Sequence, residues 1–206
     1  LLGKVSGLQF PLRSSHLSDP YADIRPYRDE EVAPVLARLL ADPEFLGAIA
    51  SLRLGRLASL APALVRPLVR FLLYRELRGV NDIAAMQDVI KRYMDRMIES
   101  TTGGFSISGL EKLAPGRAYL FMSNHRDIAM DPAFTNYALY QGGRDTVRIA
   151  IGDNLLTKPW ASDLMRLNKS FIVKRSASGP RELLAASKNL SAYIRHSLQQ
   201  DNAPVW

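Results

Sequence analysis

The chain contains no cysteine in 206 residues. That absence removes thiol nucleophiles, disulfides and zinc–thiolate sites from consideration. Histidine is scarce, with His16, His125 and His196 the only three, so imidazole chemistry has few places to reside. Acids are outnumbered, 20 Asp and Glu against 27 Lys and Arg, for a formal charge of +7. This balance favours an anionic partner: nucleic acid, an anionic membrane surface or a phosphorylated substrate. No apolar run approaches the ~18 residues of a membrane-spanning helix. Residues 1–10 carry no apolar signal-peptide core. Neither a transmembrane helix nor a signal peptide is expected. The sequence also lacks a G-x-S-x-G elbow, a P-loop and a G-x-G-x-x-G run. No metal site is expected.

What is present suits one substantial domain with a helical addition. Residues 1–28 bear Pro, Ser and Arg without periodicity and are expected to form an extended arm. Helices are expected over 29–40, from Asp42-Pro43 to about residue 59, and onward to 77, with Pro62 and Pro67 as punctuation. Asp42 is placed to cap, with Pro at the first helical position. Asn81 or Asp82 opens another helix, whose Ile83, Met86, Ile90, Tyr93 and Met97 form one apolar stripe. After Thr101-Thr102-Gly103-Gly104 the texture changes. Strand-like runs at 105–107, 119–122, 147–151, 171–173 and Val205 alternate with helical patterns at 132–141, 158–167 and 180–199. Such alternation implies βαβ units. The expected fold is α/β, a mainly parallel sheet flanked by helices over 101–206, preceded by a helical region over 29–100. The ending Ala203-Pro204-Val205-Trp206 resembles the opening of a strand, so further chain is expected beyond it.

The segment 45–78 is rich in Leu and Ala and carries Arg53, Arg56, Arg66, Arg70, Arg75 and Arg78, with no acid between Glu44 and Glu76. On a helix, Arg56, Arg66 and Arg70 cluster on one side. Basic amphipathic helices of this kind lie in membrane interfaces, although packing on the α/β domain would use the same apolar face. The expected partner is an anionic membrane surface. Nucleic acid is not expected, because no binding motif and no basic stripe interleaved with aromatics is present.

The most informative stretch is His125-Arg126-Asp127-Ile128-Ala129-Met130-Asp131, which follows the apolar run Ala118-Tyr119-Leu120-Phe121-Met122. Ligands of open α/β sheets bind beyond the carboxyl ends of strands. A histidine there, with a carboxylate in reach, is placed to take a proton from a hydroxyl. Asp131 and Asp127 are both candidate partners for His125. Asp131 precedes Pro132 and also fits a helix N-cap; Asp127 also fits an Asx-turn. Arg126 is either a loop ion-pair residue or a phosphate contact. His16 and His196 lie outside any such constellation, Gly142-Gly143 suits a helix stop, and Trp160 and the methionines suit the core.

Ser123-Asn124-His125-Arg126-Asp127-Ile128-Ala129-Met130-Asp131 resembles the first motif of the glycerolipid acyltransferases, the lysophosphatidic acid acyltransferase group. The likeness continues through Ile149-Ala150-Ile151-Gly152-Asp153-Asn154-Leu155-Leu156, Pro159, Met165 and Arg166. It ends on Phe171-Ile172-Val173-Lys174-Arg175, which resembles the second motif, and covers roughly 100–206. Two departures stand out. The family's spacing would place the acid at Met130, whereas this chain has Asp127 and Asp131. The family's Glu-Gly-x-Arg motif is not in the sequence; the expected domain is thus cut short on its C-terminal side.

The resemblance implies transfer of an acyl chain from acyl-CoA or acyl carrier protein to a lysophospholipid hydroxyl, with the thioester as co-substrate and no bound cofactor. 1-Acyl-sn-glycerol 3-phosphate is the first acceptor to expect. It implies His125 with Asp131 or Asp127 as the catalytic set, and Asn124, Arg126, Lys174 and Arg175 on the substrate, with Arg175 best suited to grip phosphate. Backbone N–H groups of the following helix are expected to help with the oxyanion. The implied location is peripheral, on the cytoplasmic side of a membrane. Alternatives are another acceptor (glycerol 3-phosphate or a lyso-aminolipid) and a non-catalytic basic lipid-binding protein.

Overall fold

The computed structural model describes residues 19–55 and 62–206. Residues 1–18 of the expected arm, with His16, and residues 56–61, with Arg56, lie outside the described residues. The helices form close to where periodicity and capping place them, except that the one expected from Pro43 to about residue 59 stops at Leu54, on Gly55 with φ 55°. α1 spans Asp29–Ala41. α2 (Pro43–Leu54) starts on Asp42, whose carboxylate accepts from the Glu44 and Phe45 amides at 2.8 and 2.9 Å. α3 spans Pro62–Glu76. α4 (Ile83–Thr101) is capped by Asp82 through the Ala85 amide. Its buried side is set by Met86, Val89 and Ile98, while the expected stripe member Tyr93 is exposed and bonds Arg53.

The second half alternates as expected: α5 (Met130–Gln141), β1 (Ile149–Gly152), α6 (Pro159–Leu167), β2 (Ser170–Val173) and α7 (Pro180–Gln199). Gly142 caps α5, and Gly143 leaves it with φ 65°, the left-handed exit that glycine permits. The sheet is smaller than expected. β1 and β2 pair in parallel, Ile149 opposite Ser170 through Gly152 opposite Val173. Beyond them, among the described residues, lie only isolated parallel bridges, Val205 pairing with both Arg148 and Leu120. The run at 119–122 therefore joins through a single bridge. Among the described residues, the run at 105–107 has no strand partner; instead Phe105 stacks on Phe134 at 5.3 Å. In space the extended segments run 119–121, 203–206, β1, β2, and the Ile24 carbonyl accepts from Ile172 N–H at the far edge. Of the extended arm expected over 1–28, the described residues 19–28 include a turn at 20–24 and bond the sheet edge through Ile24.

Three apolar clusters hold these layers. Ile24, Phe171, Tyr193 and Val205 seal α7 to one face of the sheet. Leu139, Val147 and Ile149 seal α5 to the other. The helical region has its own cluster, which includes Leu167 of α6 and takes in Trp160 and Leu164 at its edge. A polar clamp reinforces that join: Asp163 accepts from Arg38 at 2.7 Å and from the Tyr27 hydroxyl at 2.6 Å. Arg166 lies over the Tyr27 ring at 4.3 Å and bonds the Ala22 and Arg25 carbonyls. Burial pushes the Asp163 carboxyl up, but the bonds from Arg38 and Tyr27 outweigh it and hold it below its ordinary value. A depressed carboxylate stabilises the fold above the unfolded-state pKa, and that stability disappears as pH falls through the folded value. Asp163→Ala should therefore lower stability in urea by about 2 kcal/mol at neutral pH, the scale of charged hydrogen bonds. The deficit relative to wild type should begin to shrink below about pH 4, where the carboxyl of the unfolded chain takes up its proton, and go on shrinking until the folded carboxyl does so at lower pH.

α3 buries Val69 and Leu73 but leaves Leu64, Leu68, Phe71 and Tyr74 exposed beside Arg66, Arg70 and Arg75. Arg53 of α2 pairs with Glu76 at 2.7 Å and ties the two helices together. Among the described residues, no helix is long and apolar enough to cross a membrane.

Candidate active site

The 119–121 segment emerges from its pairing with Val205 and turns directly into α5. Two aspartates shape that turn. Asp127 Oδ1 accepts from the Ala129 and Met130 amides at 2.9 and 2.8 Å, closing the start of α5. Asp131, one residue inside the helix, reaches back. Its Oδ2 accepts from the Arg126 amide at 2.6 Å and the Asp127 amide at 3.0 Å, and stands 3.3 Å from His125 Nδ1. The two backbone bonds, that from Asp127 first, hold the Asp131 carboxyl below its ordinary value, with the imidazole adding to the effect. Asp131 is therefore a carboxylate fixed in position before it meets the ring.

The roles read as alternatives in sequence are thus divided. Asp127 does the capping, and among the described residues it forms no ion pair with His125; Asp131 stands beside the imidazole. The longer His–Asp spacing is absorbed by the Asp127 turn, because α5 begins at Met130 and not at Pro132. Of the helix-start amides expected to face an oxyanion, those of Ala129 and Met130 bond the Asp127 carboxylate and that of Asp131 bonds the Asp127 carbonyl.

His125 lines an apolar cleft of about 610 Å³ that runs along β1, from Ile149 to Gly152, and takes in Ser170 at the start of β2 and Arg175 past its end. Its ring is 40% exposed and meets the Trp206 ring nearly edge-on, centroids 5.2 Å apart. Met122, Ile128 and Leu155 are exposed at the mouth, and Pro132, Ile149 and Ser170 are buried deeper. Met165 lines the cleft rather than filling the core, and Met122 is 84% exposed. With Nδ1 facing Asp131, Nε2 is the nitrogen left for a substrate.

Arg175 reaches the same cleft from the end of β2. Asp153 holds the loop that carries it, accepting from the Arg175 amide at 3.0 Å, the Ser176 amide at 3.2 Å and the Ser176 hydroxyl. The Ser176 hydroxyl leads these bonds in keeping the Asp153 carboxyl low. A Cβ on Gly152 would clash with Asn154 Oδ1 and stand 3.3 Å from Arg175 Cδ and Nε, so glycine leaves room for both side chains. Lys174, expected beside Arg175 on the substrate, faces the other way. It pairs with Asp23 and lines a separate groove with α7. Successive residues of an extended chain point to opposite faces, so the two cations cannot serve one cleft. Asn124 and Arg126 are exposed on the loop, and neither lines the cleft. Trp206, Gly152 and Asp153 have parts in this site that sequence reasoning missed; an acid directly after a strand-ending glycine was the one available signal.

No curated protein and no solved structure matches the chain. A family model described as Acyltransferase matches residues 104–206, a span that holds the His125 loop, Gly152, Arg175 and Trp206. With the imidazole, its carboxylate and the strand-end arginine all inside the matched half, the chain belongs to the acyltransferase family.

Proposed function

We propose that the protein moves a fatty acyl chain from acyl-CoA or acyl carrier protein to the free hydroxyl of a lysophospholipid, 1-acyl-sn-glycerol 3-phosphate in the first instance. The observation that carries this reading is His125 Nδ1 at 3.3 Å from a carboxylate on the wall of an apolar cleft that Arg175 also lines. In the proposed reaction His125 Nε2 takes the hydroxyl proton as the oxygen attacks the thioester carbonyl. The tetrahedral intermediate then collapses, the C–S bond breaks, and the imidazolium returns the proton to the departing thiolate. Asp131 stabilises the imidazolium meanwhile, as the aspartate of a serine-hydrolase triad does. The acceptor's own hydroxyl stands where serine would, so no acyl-enzyme forms.

Arg175 is proposed to hold the acceptor phosphate. Acyl transfer measured with purified protein tests this. Arg175→Ala should raise KM for lysophosphatidic acid about 10- to 100-fold, the worth of charged hydrogen bonds. Lys174→Ala should leave it within about twofold, since its charge lies on another face and its exposed pair with Asp23 carries little energy. Equal losses in the two variants would reject the assignment.

The exposed apolar and basic side of α3 supports peripheral membrane binding. In this reading the protein sits on the cytoplasmic face, where the acyl thioesters are supplied. Each Arg near an anionic surface adds about 1 kcal/mol. Reversing Arg66, Arg70 and Arg75 to Glu should cut affinity for phosphatidylglycerol vesicles at least 100-fold and remove most of its salt sensitivity.

A further inference from the structure

A polar pair stands between the cleft and a neighbouring cavity. Asn168, at the end of α6, and Ala133, on α5, line the His125 cleft; the same two residues line a second, smaller cavity of about 40 Å³ between α4 and α5. That cavity also has apolar wall, from Ile90 and Met94. Across the partition Gln87 of α4 donates from Nε2 to Asn168 Oδ1 at 3.1 Å. Gln87 is 7% exposed, so its amide has little access to water. An alkyl chain that displaced Asn168 would leave that amide unsatisfied, a cost an apolar chain cannot offset. A flexible apolar side chain in the same place could rotate aside; a bonded amide pair resists.

We propose that the Asn168–Gln87 pair, with Ala133 beside it, is the floor that sets the length of acyl chain the cleft accepts. This rests on the acyl-transfer reading above and adds to it the determinant of chain specificity. Removing the floor side chain should connect the two cavities and admit longer chains. Enlarging Ala133 should raise the floor and favour shorter ones. Discrimination by one methylene in an apolar pocket runs about 10- to 200-fold, so displacements of the optimum are readable.

The experiment is displacement of a fluorescent fatty acid by a ladder of saturated fatty acids from decanoate to eicosanoate, run with acyl transfer over the same lengths. Asn168→Ala should move the preferred length up, and Ala133→Met should move it down, with at least about a tenfold change in the ratio of longer to shorter chains for each. An optimum that stays put in both variants, or moves the same way in both, would overturn the floor. Binding does not require turnover, so the two readings fail separately. Transfer with an unmoved optimum rejects the floor alone. A moved optimum without transfer by the wild-type protein rejects the enzyme reading alone. Should Asn168→Ala not fold, Ala133→Met on the opposite wall decides: a downward move supports the floor, and an unmoved optimum overturns it.

Discussion

His125→Ala should lose acyl transfer by about 10²- to 10⁴-fold in kcat, the usual worth of a positioned general base, while its circular dichroism and urea midpoint stay close to wild type. The ring is 40% exposed on the cleft wall and meets Trp206 edge-on, so its removal leaves no fully buried hole. Binding of lysophosphatidic acid should survive, because Arg175 and the apolar walls remain. A loss of kcat with an unchanged acceptor KM is the pattern of an interaction made only in the transition state. Full activity in this variant would reject the mechanism, and a collapsed fold would show that the histidine is structural.

Asp131→Asn should also cost about 10²- to 10⁴-fold in kcat, by analogy with the triad aspartate. The asparagine oxygen can still accept the Arg126 and Asp127 amides, so the loop should keep its shape. The negative charge beside the imidazolium would be gone, and a side-chain amide turned the wrong way would present a donor to Nδ1. Asp127→Ala is the contrasting variant. It removes the cap on the Ala129 and Met130 amides and should cost about 1 kcal/mol of stability, with kcat falling far less than in Asp131→Asn. If Asp127→Ala proved the more damaging to kcat, the carboxylate partner of His125 would have to be reassigned.

The helices of this protein are legible in its sequence because their signals are local. Asp42-Pro43, Asp82, Pro159 and Pro180 mark helix starts that the structure keeps. The sheet is less so. The run at 105–107 has the composition of a strand, but pairing needs a partner, and its phenylalanine found α5 instead. The 119–121 segment pairs with Val205, a partner far along the chain that no local pattern names. The choice between Asp127 and Asp131 turned on whether α5 begins at Met130 or Pro132, a difference within the usual error on a helix boundary. The division of Lys174 from Arg175 was readable in principle, since alternation along a strand separates neighbours. Trp206 against His125 and Gly152 beneath Arg175 are close approaches made by tertiary packing, for which a sequence carries no spacing rule.

The direct test of the central claim is release of free thiol from a long-chain acyl thioester by purified protein, with and without lysophosphatidic acid. Direct attack by an acceptor hydroxyl activated by His125 requires thiol release that depends on the acceptor and equals phosphatidic acid formed. An acceptor-independent burst of thiol, leaving the acyl group on the protein, or no release at all with acceptor present, would contradict it.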